Sequence, residues 1–197
     1  MEKIMNIKVS FCIQRKIITE VDAEWFRYGL EKRLLSIIMS IPFFIIATLL
    51  SNLYVASAFF FSFSYLRSRM SGYHAKSVML CTIMSLFLEL IFFCIIYPLL
   101  NRFASGIIMT IVILLVTSLA PYNHPNMNFT TSELHACKKS SRIRLCFLSV
   151  IFFTALACNW NWIIKGISLG CAMAALLLCI AYLLDWRNKI WKKLNRN

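Results

Sequence analysis

The sequence predicts an all-α integral membrane protein, and three observations lead to that fold class. Of the 197 residues, 60% are hydrophobic, and the mean hydropathy is +0.72, whereas soluble domains are about 45–50% apolar. The apolar residues form long blocks, not the alternation that a transmembrane β-barrel needs. Glycine and proline are scarce, with 5 and 4 residues. Because lipid offers backbone groups no hydrogen-bond partner, such blocks are expected to be helices.

The apolar blocks predict about six transmembrane helices, four of them within the roughly 17–25 residues that a span needs and two of them shorter. Only Ser51 and Asn52 separate the first two, so these two are expected to form a tight hairpin, short or re-entrant. Trp160 and Trp162 extend the fifth span as an interfacial pair. In chain order the predicted spans are 34–50, 53–66, 77–100, 103–120, 145–158 and 166–184.

A polar segment precedes the first span and predicts an amphipathic helix on the membrane surface over residues 19–35. Its shared face consists of Val21, Trp25, Tyr28 and Lys32, a mixture typical of interfacial helices. The residues leave a second interpretation open, a plain polar lead-in to the first span. We expect three parts: an interfacial segment (1–33), a membrane domain (34–185) and a basic tail (186–197).

The positive charge predicts how the spans are oriented. The net charge is +13, and all lysines and arginines except Arg102 and Lys165 fall in segments 1–33, 67–76, 121–144 and 186–197. The positive-inside rule therefore predicts that both termini are cytoplasmic. Since these residues flank apolar blocks and form no single basic stripe, no nucleic-acid partner is expected.

The densest polar cluster, residues 67–77, is followed by Cys81 and contains His74. On one straight helix these two residues would be about 10.5 Å apart along the axis, too far for a hydrogen bond. A Cys–His pair therefore requires His74 to lie off the helix, which Gly72 as a breaker and Ser77 as an N-cap favour. Cys81 would then lie one turn into a helix whose positive end favours the thiolate. The alternative is a packing cysteine beside an interfacial histidine.

Few other polar residues suggest chemistry. Glu89 lies in the third span, where a carboxylate could orient His74, bind a substrate amine or stay protonated between helices. His124, His135 and Cys137 share a predicted cytoplasmic loop but lack a recognised metal-ligand spacing. No CxxC pair occurs among the eight cysteines, so no disulfide framework, metal or cofactor is expected.

The stretch 67–85 resembles the accessory gene regulator B family, the membrane cysteine peptidases of bacterial quorum sensing. The matching residues are Arg69, Gly72, His74-Ala75 and Cys81, with Ser71 in place of the first glycine of the family's pair. Ala120-Pro121 followed by Pro125-Asn126 is similar to a second family pattern, although Met127-Asn128 replaces its usual Lys-Pro pair.

The resemblance implies a specific activity. Cys81 would be the nucleophile and His74 the general base and acid, and Arg69 and Gly72 belong to the same pattern. From the residues themselves, Ser77 and Glu89 are expected to support this pair. The substrate would be a short amphipathic propeptide, cut through a thioester and closed to a lactone or thiolactone. Its acidic C-terminal tail would be steered by basic residues that include Lys138 and Lys139. Family membership would also imply a homodimer in the bacterial cytoplasmic membrane.

Two non-enzymatic classes remain open from the residues alone. A small transporter or channel component would depend on Glu89 and Asn52 more than on Cys81. A scaffold would gather partners through its basic cytoplasmic face and cut no peptide bond.

Overall fold

The fold is described from a computed structural model, and the structure describes residues 11, 12, 15, 23–70, 78–121 and 130–194. Within them every regular element is helical, which confirms the predicted all-α class. α3 continues through a π-helical stretch, Phe92–Ile96, and a last α-helical turn, Tyr97–Leu99. The helices are α1 (Ala23–Leu50), α2 (Leu53–Met70), α3 (Val78–Ile91), α4 (Arg102–Leu119), α5 (Thr131–Ala157) and α6 (Asn161–Leu194).

The chain divides into two compact units, residues 1–45 and 46–197. In the first unit, the described part of α1 runs without a break across the predicted boundary between residues 33 and 34. The reason is local, because Arg33, Leu34 and Leu35 all favour helix and no breaker stands between them. Residues 23–33 of the predicted surface segment and the first apolar block are therefore parts of one helix.

In the second unit, α6 packs against α2, α4 and α5. Its closest approach to α2 depends on Gly166 and Gly170, four residues apart on one face. A Cβ atom at Gly166 would lie 2.5 Å from the Ala58 Cβ, and one at Gly170 would lie 2.5 Å from the Phe59 carbonyl oxygen. Small residues at this spacing let two helix backbones approach closely, so the α2–α6 contact has no room for larger side chains.

The two ends of the second unit differ in chemistry. One end, which we call the turn end, is formed by residues 51–54, 97–103 and 157–165. There the Tyr54 and Trp162 rings lie 5.4 Å apart, and Arg102 Nε donates to Asn161 Oδ1 at 2.9 Å. The other end, which we call the basic end, is formed by residues 65–70, 117–121, 138–144 and 182–187.

The chain reverses between α5 and α6 at Asn159. This residue has a φ of 62°, in the left-handed region that asparagine tolerates better than most residues. The Trp160 N–H donates to the Ala155 carbonyl oxygen at 2.9 Å, the long-range bond of a Schellman motif. The turn is therefore closed by backbone hydrogen bonds that require this conformation.

α5 begins earlier than the predicted fifth span, because the segment that we expected to be a cytoplasmic loop is partly helical. The Thr130 N–H and hydroxyl donate to the Glu133 carboxylate at 2.9 and 2.8 Å, and the Glu133 N–H donates to the Thr130 hydroxyl at 3.3 Å. This capping box starts the helix, and the two bonds from Thr130 lower the pKa of Glu133. His135 and Cys137 consequently lie on α5 and not in a loop.

The outward surface of the described helices is apolar. On α4, the exposed residues Phe103, Ile107, Ile111 and Leu114 recur every three or four positions and so form a stripe along one face. Among the described residues, Arg102–Leu119, Thr131–Ala157 and Asn161–Arg187 are long and apolar enough to cross a membrane. Exposed apolar surface on this scale marks a membrane-associated protein.

Candidate functional site

Cys81 is the fourth residue of α3, which begins at Val78. The structure describes its backbone, whereas its side chain lies outside the described part of the chain. Residues 71–77 also lie outside it, and with them Gly72, His74 and Ser77 of the candidate site. The structure therefore places Cys81 in the first turn of a helix.

The direction of α3 places this turn away from the turn end. Tyr97, near the end of the helix, lies beside Lys165, whose Nζ is 5.0 Å from the ring centroid. Sixteen residues of α-helix span about 24 Å, so we expect the Cys81 backbone to lie towards the basic end. Phe93 anchors the helix between these points, with its ring 5.0 Å from that of Phe59.

At the basic end, α5 is tied to the last turns of α2. Arg144 Nη1 donates to the Tyr65 carbonyl oxygen at 2.6 Å and also to the Ser68 hydroxyl. Its guanidinium carbon lies 4.7 Å from the centroid of the Tyr65 ring. Because α2 leads directly into residues 71–77, this contact fixes the helix end from which the candidate site departs.

α4 is held in a similar way at the same end. Arg142 Nη2 donates to the Thr117 carbonyl oxygen at 3.2 Å, and the Tyr182 hydroxyl donates to that of Leu119 at 2.6 Å. Both acceptors belong to the last turn, whose carbonyls have no partner within the helix. The chain then passes through a cis peptide bond between Ala120 and Pro121.

The cations predicted to steer an acidic tail fall into two groups. Arg142 and Arg144 bind helix carbonyls, as described above. Lys138 and Lys139 are exposed on the first turns of α5, and neither side chain makes a hydrogen bond or ion pair with the described residues. Arg69 is exposed in the last turn of α2. The two lysines and Arg69 are therefore among the cations of the basic end that are open to an acidic ligand.

Glu89 is the buried charged residue of the described chain. It is 1% exposed, and neither carboxylate oxygen has a hydrogen-bond partner among the described residues. It follows Cys81 by eight residues, a distance of about 12 Å along a helix. An unpaired carboxylate is costly to bury, which makes Glu89 a group that a further partner would stabilise.

Metal ligation has no support in the described part of the chain. No group of three or more histidine, cysteine, aspartate or glutamate side chains is placed there to hold an ion. His135 is exposed and Cys137 half-buried on α5, and His124 lies outside the described residues. Asn52, a candidate for a transport pathway, instead caps α2 by accepting the Val55 N–H at 2.9 Å.

The fold and this arrangement define an all-helical, membrane-associated protein with a cysteine in the first turn of one helix and a cluster of cations at one end. The accessory gene regulator B family model matches residues 6–181. The chain therefore belongs to that family, and membership implies a part in processing the propeptide of a quorum-sensing system. Comparisons with curated proteins and with solved structures gave no significant match.

Proposed function

We propose that the protein is a membrane-embedded cysteine endopeptidase that removes the C-terminal tail of a short signal propeptide and promotes closure of the remainder into a lactone or thiolactone. Family membership carries the proposal, because the matched range includes Arg69, Gly72, His74 and Cys81. The place of Cys81 in the first turn of α3 supports it, since the positive end of a helix favours a thiolate.

The proposed reaction begins with proton transfer from the Cys81 thiol to His74. The thiolate attacks the carbonyl carbon before the tail, and protonated His74 gives its proton to the departing amine. The products are a free tail and a thioester on Cys81. A cysteine thiol or serine hydroxyl within the bound propeptide then attacks the thioester, which closes the ring and restores the Cys81 thiol. Ser77 and the backbone N–H groups near Cys81 are the candidate donors to the oxyanion.

The basic end supplies the proposed contacts with the tail. Lys138 and Lys139 are exposed and carry no carboxylate partner among the described residues, so they can meet an acidic segment at the membrane surface. Charges of this kind mainly raise the rate of encounter. Arg69 would act at the same end, next to the His74 segment. Glu89, about two turns beyond Cys81, is too distant to touch the thiol and would contact the bound propeptide instead.

We propose a topology of six spans with both termini in the cytoplasm of a bacterial cell. The alternating directions of the helices within the second unit and the apolar outward stripe of α4 support it. In addition, α2, with 18 residues, is about 27 Å long, close to the thickness of a bilayer core. The membrane domain would comprise residues 34–185, between an N-terminal segment (1–33) and a tail (186–197). Along α6, helix continues through this tail to Leu194. A homodimer is proposed from the family resemblance alone.

The test is co-expression with a candidate propeptide tagged at both ends, followed by mass spectrometry of the fragments. Wild type is expected to release the tail, whereas Cys81→Ala and His74→Ala are expected to leave the propeptide intact. Cys94→Ala is the matched control, because Cys94 is an exposed cysteine of the same continuous helix. Cleavage by Cys81→Ala would refute the assignment of the nucleophile.

A second function, transport without catalysis, is favoured by one observation, the burial of Glu89 without a hydrogen-bond partner among the described residues. In a transporter, Glu89→Gln would abolish movement of the substrate, while Cys81→Ala would leave it unchanged. In the peptidase, Cys81→Ala abolishes cleavage, and Glu89→Gln raises KM more than it lowers kcat. Measuring both variants in the same cells distinguishes the two functions.

A further inference from the structure

A pocket of about 270 Å³ opens at the turn end, between the start of α4 and the start of α6. Leu100 and Ile164 form its apolar floor, at 3% and 1% exposure. Its polar wall consists of Asn101, Arg102, Asn161 and Lys165. The volume is slightly below the roughly 300 Å³ at which pockets for drug-sized molecules begin, so it suits a small polar group and not a folded segment.

The polar wall offers hydrogen-bond donors to a ligand, because the side-chain oxygens of both asparagines already accept hydrogen bonds from the protein. Asn161 Oδ1 accepts from Arg102 Nε at 2.9 Å, and Asn101 Oδ1 accepts from the Ala104 N–H at 2.8 Å. Arg102 Nη1 donates to Asn159 Oδ1, which leaves one N–H group on Nη1 and both on Nη2. With the Lys165 ammonium and the two asparagine amides, these groups make a wall of N–H donors.

The charge of the pocket is uncompensated. The segments that form the turn end, 51–54, 97–103 and 157–165, contain no aspartate or glutamate, and within the described chain neither cation has a carboxylate partner. Lys165 lies over the Tyr97 ring at 5.0 Å, a contact that leaves its charge intact. Two cations and several donors without an anion fit a ligand with several acceptor oxygens, of which phosphate is the best match.

The surroundings place the pocket at the level of lipid headgroups. Trp160, Trp162 and Tyr54 are 51%, 42% and 63% exposed beside it, and such aromatic residues concentrate at membrane–water interfaces. Leu99 and Phe103, which flank the pocket in sequence, are 73% and 78% exposed. A ligand in the pocket would therefore have apolar surface immediately next to its polar contacts.

We propose that this pocket binds the phosphate of an anionic phospholipid headgroup, with Arg102 and Lys165 as the charged contacts. The acyl chains lie along the apolar surface of Leu99 and Phe103. The site is at the end of the bundle opposite to the proposed peptidase chemistry, and it does not depend on that chemistry. Free phosphate has the same charged group but no apolar part, which allows the two sources to be separated.

The experiment uses the full chain in a neutral detergent, titrated with dioleoyl phosphatidylglycerol, dioleoyl phosphatidylcholine or sodium phosphate. Native mass spectrometry counts the bound lipid, and the shift in melting temperature gives the apparent Kd. We expect stabilisation by phosphatidylglycerol, affinity about tenfold lower for phosphatidylcholine because its choline group is cationic, and no shift with the same concentration of sodium phosphate. An equal shift with sodium phosphate would overturn the lipid assignment.

Substitutions test whether Lys165 and Arg102 contact the bound lipid. Lys165→Gln is expected to weaken phosphatidylglycerol binding about tenfold, the usual loss for one charge-assisted hydrogen bond. It removes no hydrogen bond within the described protein, so folding should be preserved, whereas Arg102→Gln also loses the contacts to Asn159 and Asn161. Lys139→Gln, at the basic end, is the control, because it removes the same positive charge at the opposite end of the bundle. Identical affinities for Lys165→Gln and Lys139→Gln would refute the site.

Discussion

Arg144 contacts Tyr65 twice, through a hydrogen bond of 2.6 Å from its Nη1 to the carbonyl oxygen and through its guanidinium, 4.7 Å from the centroid of the ring. One side chain of α5 thus holds both the backbone and the side chain of the residue five positions before the end of α2. Since α2 leads into the segment that contains His74, the position of that segment depends on this contact.

Replacing Arg144 should loosen the end of α2. Arg144→Gln loses the charge-assisted bond to Tyr65 and the ring contact, and we expect the free energy of unfolding to fall by about 1–3 kcal/mol. Thermal unfolding in detergent measures the loss. Lys138→Gln removes the same charge from an exposed position on the same helix and should leave the melting temperature unchanged. Equal melting temperatures for the two variants would contradict a structural role for Arg144.

Charge reversal at Lys138 and Lys139 should slow the proposed processing of a propeptide with an acidic tail. With Lys138→Glu and Lys139→Glu combined, attraction becomes repulsion, and kcat/KM should fall by about tenfold or more at low salt. Cleavage assays at two salt concentrations measure the effect, which should shrink as salt rises. A propeptide with amides in place of the acidic residues is the matched substrate, and a similar loss with it would exclude steering.

The α2–α6 contact predicts opposite outcomes for two glycines. Gly170→Ala brings a methyl group to 2.5 Å from the Phe59 carbonyl oxygen, and overpacking of this kind costs about 1–3 kcal/mol of stability. Gly106→Ala, within α4, meets no atom of the described residues outside its own helix turn within 4 Å and should be neutral or stabilising by up to about 1 kcal/mol. Melting temperatures in detergent compare them. Tolerance of Gly170→Ala would show that α2 and α6 can separate at little cost.

The proposed topology predicts which cysteines can be labelled from outside intact cells. Single-cysteine variants that retain only Cys158 or only Cys137 place the thiol at the turn end or near the start of α5. A membrane-impermeant maleimide should label Cys158, which is exposed, without lysis. Cys137 should react only after the membrane is opened. Labelling of Cys137 in intact cells would reverse the proposed orientation.

Some of the fold could be predicted because lipid leaves few alternatives. The blocks 53–66 and 103–120 correspond closely to α2 and α4, since an apolar block of this length has to be helical. The start of α5 could also have been predicted, because Thr130 and Glu133 have the spacing of a capping box. The charged residues that follow them instead suggested a loop. The four-residue spacing of Gly166 and Gly170 is compatible with a close helix contact but does not identify α2 as the partner.

The candidate site was predictable only in part. Its motif residues are local in sequence, so the resemblance could identify them. The contact between Arg144 and Tyr65 joins residues 79 positions apart, and no periodicity or spacing reveals such a pair. For the same reason, the sequence could not tell that Arg142 and Arg144 bind helix carbonyls while Lys138 and Lys139 remain open. Which cations are bound within the protein and which are exposed depends on long-range packing, which the sequence alone does not show.

Asn159 meets two requirements at once, a left-handed backbone and an acceptor for Arg102 Nη1. Glycine satisfies the first requirement but has no side-chain oxygen, and aspartate would supply the oxygen but neutralise the cation. Positions 102 and 159 should therefore co-vary among relatives. In an alignment of relatives, asparagine at 159 should accompany arginine at 102, and glycine at 159 should become frequent where that arginine is lost.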